Sequence, residues 1–545
     1  MKNTVAYLFR LLLSSLTLVF LADSSIGQGT VEMEFSDSES SAPISARLSF
    51  TKSPRKVPRP KKLLNTGEQW LAERNFQLSL PNGEYEFFVQ RGPEFKEIRG
   101  GFTIESKAKD IVGVEVPRAV DMHAESWYSG DHLSSLPVNV LKRWQAADAL
   151  DLAISIAKEA ANLEEELQAD AEDIGLQLTL KSHRVDWQNG SILIHSDSVL
   201  QNNATVQNVE TELQTTDLSV SMLDSAQAFQ RIAQAKNDGD WVELLSPWQR
   251  DVPLLLATDQ IRAVQILSEG NRPVSDDRIA FSKTNAGKFL EGKVQSTRGK
   301  ERFPTPIFAP VPVDDEIRYT NARGLGSMTE FLYWQMLEAG FRIAPTAGSH
   351  FGSNDSRLGY NRVYVFAEEP PTPTTWMNSI HQGRTTVTNG PLLRTLVNGQ
   401  PPGSVQASYR GQPISVDIAV SLTVREPVDY LDVIFNGETI YSAKLEDHYK
   451  KGEFPPLEID KSGWLVVRVI TGHDKGYRLA TTAPFYFEFD NQPRKTRSAV
   501  DFFQSWLTRS VESIEKDDTE STILDPYLEQ AKRFWSDQRE SCTVD

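Results

Sequence analysis

The chain contains very little cysteine: among its 545 residues, Cys542 is the only one, and it lies at the C-terminal end. One cysteine cannot form an intrachain disulfide or a thiolate-based zinc site. Any metal ion must therefore be held by histidine, aspartate, glutamate or water. Histidine is also scarce, with eight residues in the whole chain.

Positive charge is also in short supply. The chain has 57 lysine and arginine residues against 74 aspartate and glutamate residues, which gives a formal net charge of −17. Because nucleic-acid phosphates would be repelled by this charge, we expect no nucleic-acid partner. The acidic balance favours solubility and does not indicate any other partner.

Long apolar runs are absent after the N-terminus. There, Lys2 and Arg10 precede the apolar run 11–21, and small residues follow up to Gly27. This run is too short to span a bilayer, so residues 1–27 are predicted to be a cleaved signal peptide. We therefore expect the mature protein to be exported, to the periplasm or out of the cell, without membrane insertion after cleavage.

The remaining chain divides by hydrophobic periodicity. Alternation with period two predicts a β-sandwich over residues 28–117 and a second one over 390–491. Between them, helical and strand patterns alternate over 118–389, which is typical of α/β structure. Aromatic residues at helical spacing predict a helical tail over 492–545.

Three histidines follow strand-like segments. Trp127 and Tyr128 suit a strand, residues 129–131 (Ser-Gly-Asp) suggest a turn, and His132 would lie on the loop beyond it. His350 follows another apolar segment and a Gly-Ser turn, and His195 ends a third apolar segment. If the three strand ends converge, these histidines form a metal or acid–base site. Loop histidines that never meet are the alternative.

Four segments resemble PHP-type (polymerase and histidinol phosphatase) metal-dependent hydrolases, most closely the exported CehA/McbA-like branch. They are residues 80–95, 127–132, 346–366 and 380–393, which occur in the family's order. The resemblance implies a distorted (β/α)7 barrel between the two sandwiches, with two or three metal ions at the C-terminal ends of its strands. It also implies attack of metal-bound water on a phosphoester, ester or carbamate.

The chain departs from the family's pattern at each metal-binding motif. The first motif usually has two histidines one residue apart, whereas residues 131–134 contain one. The second falls near 152–159, which has no histidine and includes Lys158, a cation that would repel a metal or contact an anion. The last motif keeps only His350, with Asp355 five residues later.

The resemblance and the strand-end pattern together predict a reduced metal site. The predicted ligands of a zinc, manganese or iron ion are His132, His350, His195 and Asp355, with Asp131 as catalytic residue or ligand and Lys158 as an anion contact. Two functions remain open. One is a metal-dependent hydrolase acting on an unidentified small molecule or polymer, and the other is a non-catalytic binding or scaffold protein.

Overall fold

The computed structural model describes residues 28–545 apart from several segments, which are 55–56, 58–63, 67–68, 74–75, 106–108, 158–176, 188, 197–222, 269–307, 311–321, 354–355, 426–427, 452–453 and 472–476. The predicted signal peptide, Lys158 and Asp355 lie outside the described residues. The chain forms two compact units, one of residues up to 91 together with 95–118, and one of residues 92–94 together with 119–545.

In the described residues, the first unit forms two sheets. Its described strands are β1 (Gln28–Asp37), β2 (Ala46–Lys52), β3 (Asn65–Thr66), β4 (Gln69–Ala72), β5 (Phe76–Pro81), β6 (Gly83–Gln90), β7 (Ile98–Ile104) and β8 (Lys109–Val116). The strand orders are β5-β1-β8 and β3-β4-β2-β6-β7. The rings of Trp70 and Phe76, one from each sheet, lie 6.4 Å apart between centroids. Both sheets therefore contribute aromatic side chains to the core of this unit.

The second unit contains the remaining strands and all the described α-helices. Its strands are β9 (Trp127–Ser134), β10 (Leu152–Ser155), β11 (Leu178–Lys181), β12 (His183–Trp187), β13 (Gly190–His195), β14 (Trp241–Leu244), β15 (Ile261–Leu267), β16 (Ala344–Ala347), β17 (Arg362–Phe366), β18 (Thr385–Thr388), β19 (Leu392–Val397), β20 (Val405–Ser408), β21 (Ile414–Val416), β22 (Ile418–Thr423), β23 (Val428–Phe435), β24 (Glu438–Lys444), β25 (Leu457–Ile459), β26 (Gly463–Thr471), β27 (Leu479–Thr482) and β28 (Phe485–Phe489). Its helices are α1 (Val138–Ala147), α2 (Ser225–Asp238), α3 (Val252–Leu256), α4 (Ala322–Glu338), α5 (Pro373–His381), α6 (Leu445–Lys451), α7 (Arg497–Ile514) and α8 (Asp518–Glu540), with a 3₁₀ turn at His123–Glu125. The architecture is mixed α/β, as predicted, with more strand than helix.

Two sheets of this unit carry the residues discussed below. One has the order β12-β13-β14-β15-β16, and the other runs β11-β10-β9-β17-β18-β27-β26-β23-β24, with β28 and β20 attached to it. Within them, β9, β10 and β11 are parallel neighbours, as are β14, β15 and β16. Among the described residues, hydrogen bonding joins neither β11 to β12 nor β16 to β17, so these strands form two sheets and not one closed ring.

The larger sheet continues past residue 389, where the sequence predicts a change of domain. Strand β18 pairs with β27 through Thr386 and Thr482, so one sheet includes strands from both predicted regions. Asn436-Gly437, a pair typical of two-residue hairpin turns, joins the antiparallel strands β23 and β24, and the two turn residues have φ of 53° and 81°. Positive φ at both positions is the requirement of a type I′ turn, which Asn-Gly meets at little cost.

The helical C-terminal tail is also confirmed. Helices α7 and α8 pack on the core of the second unit through fully buried aromatic side chains, including Phe503, Trp506 and Trp535. The buried Arg250 guanidinium pairs with Glu520 of α8 at 2.6 Å, which adds a polar attachment. No helix in the described part of the chain is long and apolar enough to cross a membrane.

Candidate metal site

The segment that contains His132 is a strand where a turn was predicted. Strand β9 runs through the Ser-Gly-Asp sequence to Ser134, and all eight of its residues are buried between β10 and β17. A Cβ at Gly130 would lie 2.5 Å from Cζ2 of Trp376. The glycine therefore makes room for an indole ring and does not terminate the strand, so the predicted turn is wrong.

Three buried side chains, His132, His195 and Glu243, converge beside this strand. Their potential ligand atoms lie within 4.8 Å of one another, so the group could hold a metal ion. Glu243 Oε2 is 2.9 Å from His132 Nδ1 and 3.0 Å from His195 Nε2. None of the three side chains is more than 2% exposed. We call these residues the His/Glu triad.

Hydrogen bonds around the triad connect both sheets. His132 belongs to the larger sheet, whereas His195 and Glu243 lie on β13 and β14 of the five-stranded sheet. Thr346 Oγ1 on β16 donates to Glu243 Oε1 at 2.6 Å, and Ser182 Oγ lies 2.8 Å from His195 Nδ1. The Glu243 carboxylate on β14 is thus shared by side chains from three other strands, β9, β13 and β16, and each of its oxygens has at least one partner.

The protonation states follow from burial and from these contacts. Burial alone would raise the pKa of Glu243, but the adjacent His132 and His195 imidazoles reverse this effect and hold the pKa well below its usual range. Burial lowers the pKa of His195, although Glu243 opposes the shift. Glu243 is therefore an ionised acceptor, and the Nε2 of His195 donates to it.

The Trp376 indole determines the proton position on His132. Its Nε1 lies 3.1 Å from His132 Nε2. Because an indole nitrogen only donates, His132 Nε2 must present a lone pair, and the ring proton must lie on Nδ1, directed at Glu243. The indole is carried by α5, whose N-terminus is held by a capping box between Thr372 and Thr375.

Asp131, the predicted catalytic residue or ligand, is not a member of this group. Its two carboxylate oxygens accept hydrogen bonds from the backbone N–H groups of Leu133, Ser349 and Gly359, at 2.7–3.1 Å. Burial raises the pKa of Asp131 above its ordinary value even though these amides favour the ionised form. The contacts tie β9 to the loop after β16, which is a structural role.

His350, another predicted ligand, contacts a cation. Arg184 Nη1 lies 3.2 Å from its Nδ1 and 3.3 Å from its Nε2. The His350 backbone has a φ of 54°, in the left-handed region that histidine adopts more often than most non-glycine residues. A guanidinium at this distance opposes a metal ion on the same ring.

A buried amide lies near the same strands. Both side-chain polar atoms of Gln265 are buried, and among the described residues neither has a hydrogen-bond partner. Gln265 pairs with Thr346 in the parallel register of β15 and β16, so the two side chains project from the same face of the sheet. Thr346 contacts Glu243, and this face is therefore the one that carries the triad. An unpaired buried amide is costly and is the kind of group that a bound ligand satisfies.

The sequence prediction missed Glu243 and Trp376. A signal for Glu243 was present, since it is a carboxylate within the apolar segment 241–245, and a charge there must be paired if the segment is a buried strand. No comparable signal identifies Trp376, because an apolar residue on an amphipathic helix predicts core packing only.

The triad has the chemistry that a single divalent ion requires. Two imidazoles and a carboxylate are a common set of three protein ligands for zinc. Ligand bonds of 2.0–2.1 Å would place the donor atoms about 3.3 Å apart, slightly further than the hydrogen-bonded distances. Comparisons of the chain with protein-family models, curated proteins and solved structures gave no match. A functional assignment therefore depends on the site itself.

Proposed function

We propose that the chain is a PHP-like protein with a reduced metal site, in which His132, His195 and Glu243 bind one divalent ion. The observation that supports this proposal is the convergence of three ligand atoms within 4.8 Å in a buried position. Zinc suits two imidazoles and one carboxylate best, and iron is the next choice because it also accepts imidazole ligands. Manganese, which prefers oxygen ligands, is the least suited of the three metals.

The proposed fold is a distorted barrel in which the two sheets face each other. Support comes from the hydrogen bond between His132 and Glu243, which belong to different sheets, and from the bridge between Ser134 and Phe351. Each sheet also contributes a run of parallel strands, as a barrel of this kind requires.

The proposed reaction class is hydrolysis of a phosphoester, ester or carbamate in a small molecule or polymer outside the cytoplasm. A bound divalent ion would supply an acidified water and charge stabilisation for such a reaction. Thr346 would orient the Glu243 carboxylate through its hydrogen bond, and Ser182 would orient His195. Asp131 would act by holding the loop after β16 and not as a ligand.

A specific observation favours a second candidate, a non-catalytic binding or scaffold protein. Glu243 already accepts hydrogen bonds from His132, His195 and Thr346. The outer ring nitrogens, which point away from Glu243, are His132 Nε2 and His195 Nδ1, and both also have partners. The triad is also almost completely buried, whereas a catalytic ion needs contact with substrate. In this candidate, the triad is a polar link between the two sheets.

Elemental analysis of the purified mature protein after growth with added zinc, manganese and iron separates the two candidates. The metal-site proposal predicts about one equivalent of metal in the wild type and loss of that metal in a His132→Ala/His195→Ala double variant. His350→Ala is the matched control, because this histidine lies beside Arg184 and should not affect metal content. Circular dichroism checks that all three proteins are folded.

Each result leads to a different next step. Retention of the ion in the control and its loss in the double variant would justify assays with phosphoesters, esters and carbamates. A metal-free wild type after supplementation would rule out the hydrolase in this form and leave the scaffold candidate.

A further inference from the structure

The two histidines of the triad differ in the partner of their outer ring nitrogen. Ser182 Oγ faces His195 Nδ1, and Trp376 Nε1 faces His132 Nε2. A hydroxyl can donate or accept, but an indole can only donate. The outer nitrogen of His195 can therefore carry either a proton or a lone pair, whereas that of His132 is satisfied only as a lone pair.

This difference matters because an ion in the triad requires a lone pair on the inner nitrogen of each ring, the one that faces Glu243 (His132 Nδ1 and His195 Nε2). A neutral imidazole has one proton, so freeing the inner nitrogen places that proton on the outer one. For His195 the shift produces an N–H that donates to Ser182, the usual arrangement for a ligating histidine. For His132 the shift directs an N–H against the indole N–H, and two buried donors then lack an acceptor.

The packing around Trp376 keeps the indole in this position. Trp376 is fully buried, and its ring lies over the strand at Gly130, where a Cβ would clash with it. The helix that carries the indole is fixed at its start by Thr372 and Thr375. Relief of the donor–donor contact therefore requires movement of a packed helix or of β9.

We propose that Trp376 is a positioning residue that opposes a proton on His132 Nε2, where binding of an ion at Nδ1 would place it, and thereby lowers the affinity of the triad for divalent ions. The inference rests on the proposed metal site and adds a residue that sets its occupancy. Trp376 favours the hydrogen-bonded, ion-free form, in which His132 donates to Glu243. Ser182 has no such effect because its hydroxyl oxygen can accept a hydrogen bond from the Nδ1–H of His195 after the shift.

The test is zinc affinity, measured by competition with a chromophoric chelator. Trp376→Phe removes the indole N–H, and we expect zinc to bind about ten- to a hundredfold more tightly than to the wild type, since one unsatisfied buried donor pair is eliminated. Trp464→Phe is the matched control: its indole is equally buried but donates to Glu338 Oε1 at 2.8 Å. Unchanged affinity in Trp376→Phe, or an equal rise in the control, would overturn the proposal.

A second variant distinguishes loss of the N–H donor from a packing defect in Trp376→Phe. The sulfur isostere benzothienylalanine at position 376 keeps the size of the Trp376 side chain and lacks only the N–H donor. It should give the same increase in zinc affinity with little loss of packing. Wild-type affinity in this variant would contradict the role of the N–H group.

The tautomer of His132 is measured without any metal, by nitrogen-15 NMR of histidine-labelled protein. We expect the proton on Nδ1 in the wild type and also in the benzothienylalanine variant, because the Glu243 carboxylate still accepts from it. A wild-type proton on Nε2 overturns the inference. If neither protein binds zinc, the proposed function fails and with it the effect on affinity. If both bind zinc equally, only this inference fails.

Discussion

Replacing Glu243 by alanine tests whether its carboxylate is the centre of the buried polar group. The substitution leaves three donors without their acceptor: His132 Nδ1, His195 Nε2 and Thr346 Oγ1. Each unsatisfied buried donor costs about 1–3 kcal/mol, although the desolvation cost of the carboxylate is removed at the same time. Three such costs, less the desolvation that the carboxylate no longer requires, lead us to expect a loss of unfolding free energy of about 3–5 kcal/mol.

The assay is urea unfolding followed by far-ultraviolet circular dichroism at pH 7 in the presence of a chelator, so that metal binding does not contribute. Glu243→Gln is the matched variant because its amide oxygen can still accept from both imidazoles and its NH2 can donate to the Thr346 hydroxyl. It should lose about 1–2 kcal/mol, the difference between charged and neutral acceptors. In both variants the urea concentration at which half of the protein is unfolded should fall. The m-value, which is the dependence of the unfolding free energy on urea concentration, should stay constant if the denatured state is unchanged.

Two outcomes would refute this reasoning. A loss below about 1 kcal/mol in Glu243→Ala would mean that the three donors find other acceptors or water easily. Equal losses in the alanine and glutamine variants would mean that a neutral acceptor of the same shape restores nothing, so that the negative charge and not the number of unsatisfied donors accounts for the loss. Either result would also weaken the triad as a preorganised metal site.

Three further predictions concern residues around the triad. Gly130→Ala should cost about 1–3 kcal/mol in urea unfolding, because the new methyl group overlaps Trp376; a neutral effect would contradict this packing. Gln265→Leu should stabilise the metal-free protein by about 1 kcal/mol, because it removes a buried amide that has no hydrogen-bond partner in the described part of the chain, and a loss of stability would reveal a partner for that amide. The hydrogen bond to Asp151 raises the pKa of His123 in the folded protein. This hydrogen bond therefore stabilises the fold fully below about pH 6.5, and the stabilisation is lost as the pH rises through the pKa of His123 in the folded protein. His123→Gln should remove this pH dependence of the urea midpoint between pH 6 and pH 9, an effect below about 1 kcal/mol because the ring is partly exposed.

Much of the fold could be predicted from periodicity and turn chemistry. The helix at 225–238 begins after Asp224, a residue type that favours helix N-caps, and Asn436-Gly437 forms the hairpin turn that is typical of this pair, because both signals are local. The error at Ser129-Gly130-Asp131 is of another kind. Turn-forming residues occur there within a central strand because Gly130 has to admit the indole of Trp376, which is distant in sequence.

The candidate site was predictable only in part for the same reason. The strand-end pattern identified His132 and His195, which do meet, and also His350, which lies beside Arg184. Spacing indicates that a residue is near a strand end, but it does not specify which strand ends face one another. Glu243 occurs within a strand and not at a loop, and its role depends on the pairing of two sheets that no local pattern encodes.

The partners of the remaining predicted residues limit how many ions the site can take. Both oxygens of Asp131 are used by three backbone amides, so ligation by Asp131 would release the loop after β16. His350 faces the Arg184 guanidinium, and a divalent ion on that ring would require the arginine to move. These two residues therefore do not extend the triad into a second metal site. A metal content well above one ion per chain would contradict both the single-ion proposal and the scaffold candidate, since each treats Asp131 and Arg184 as structural groups.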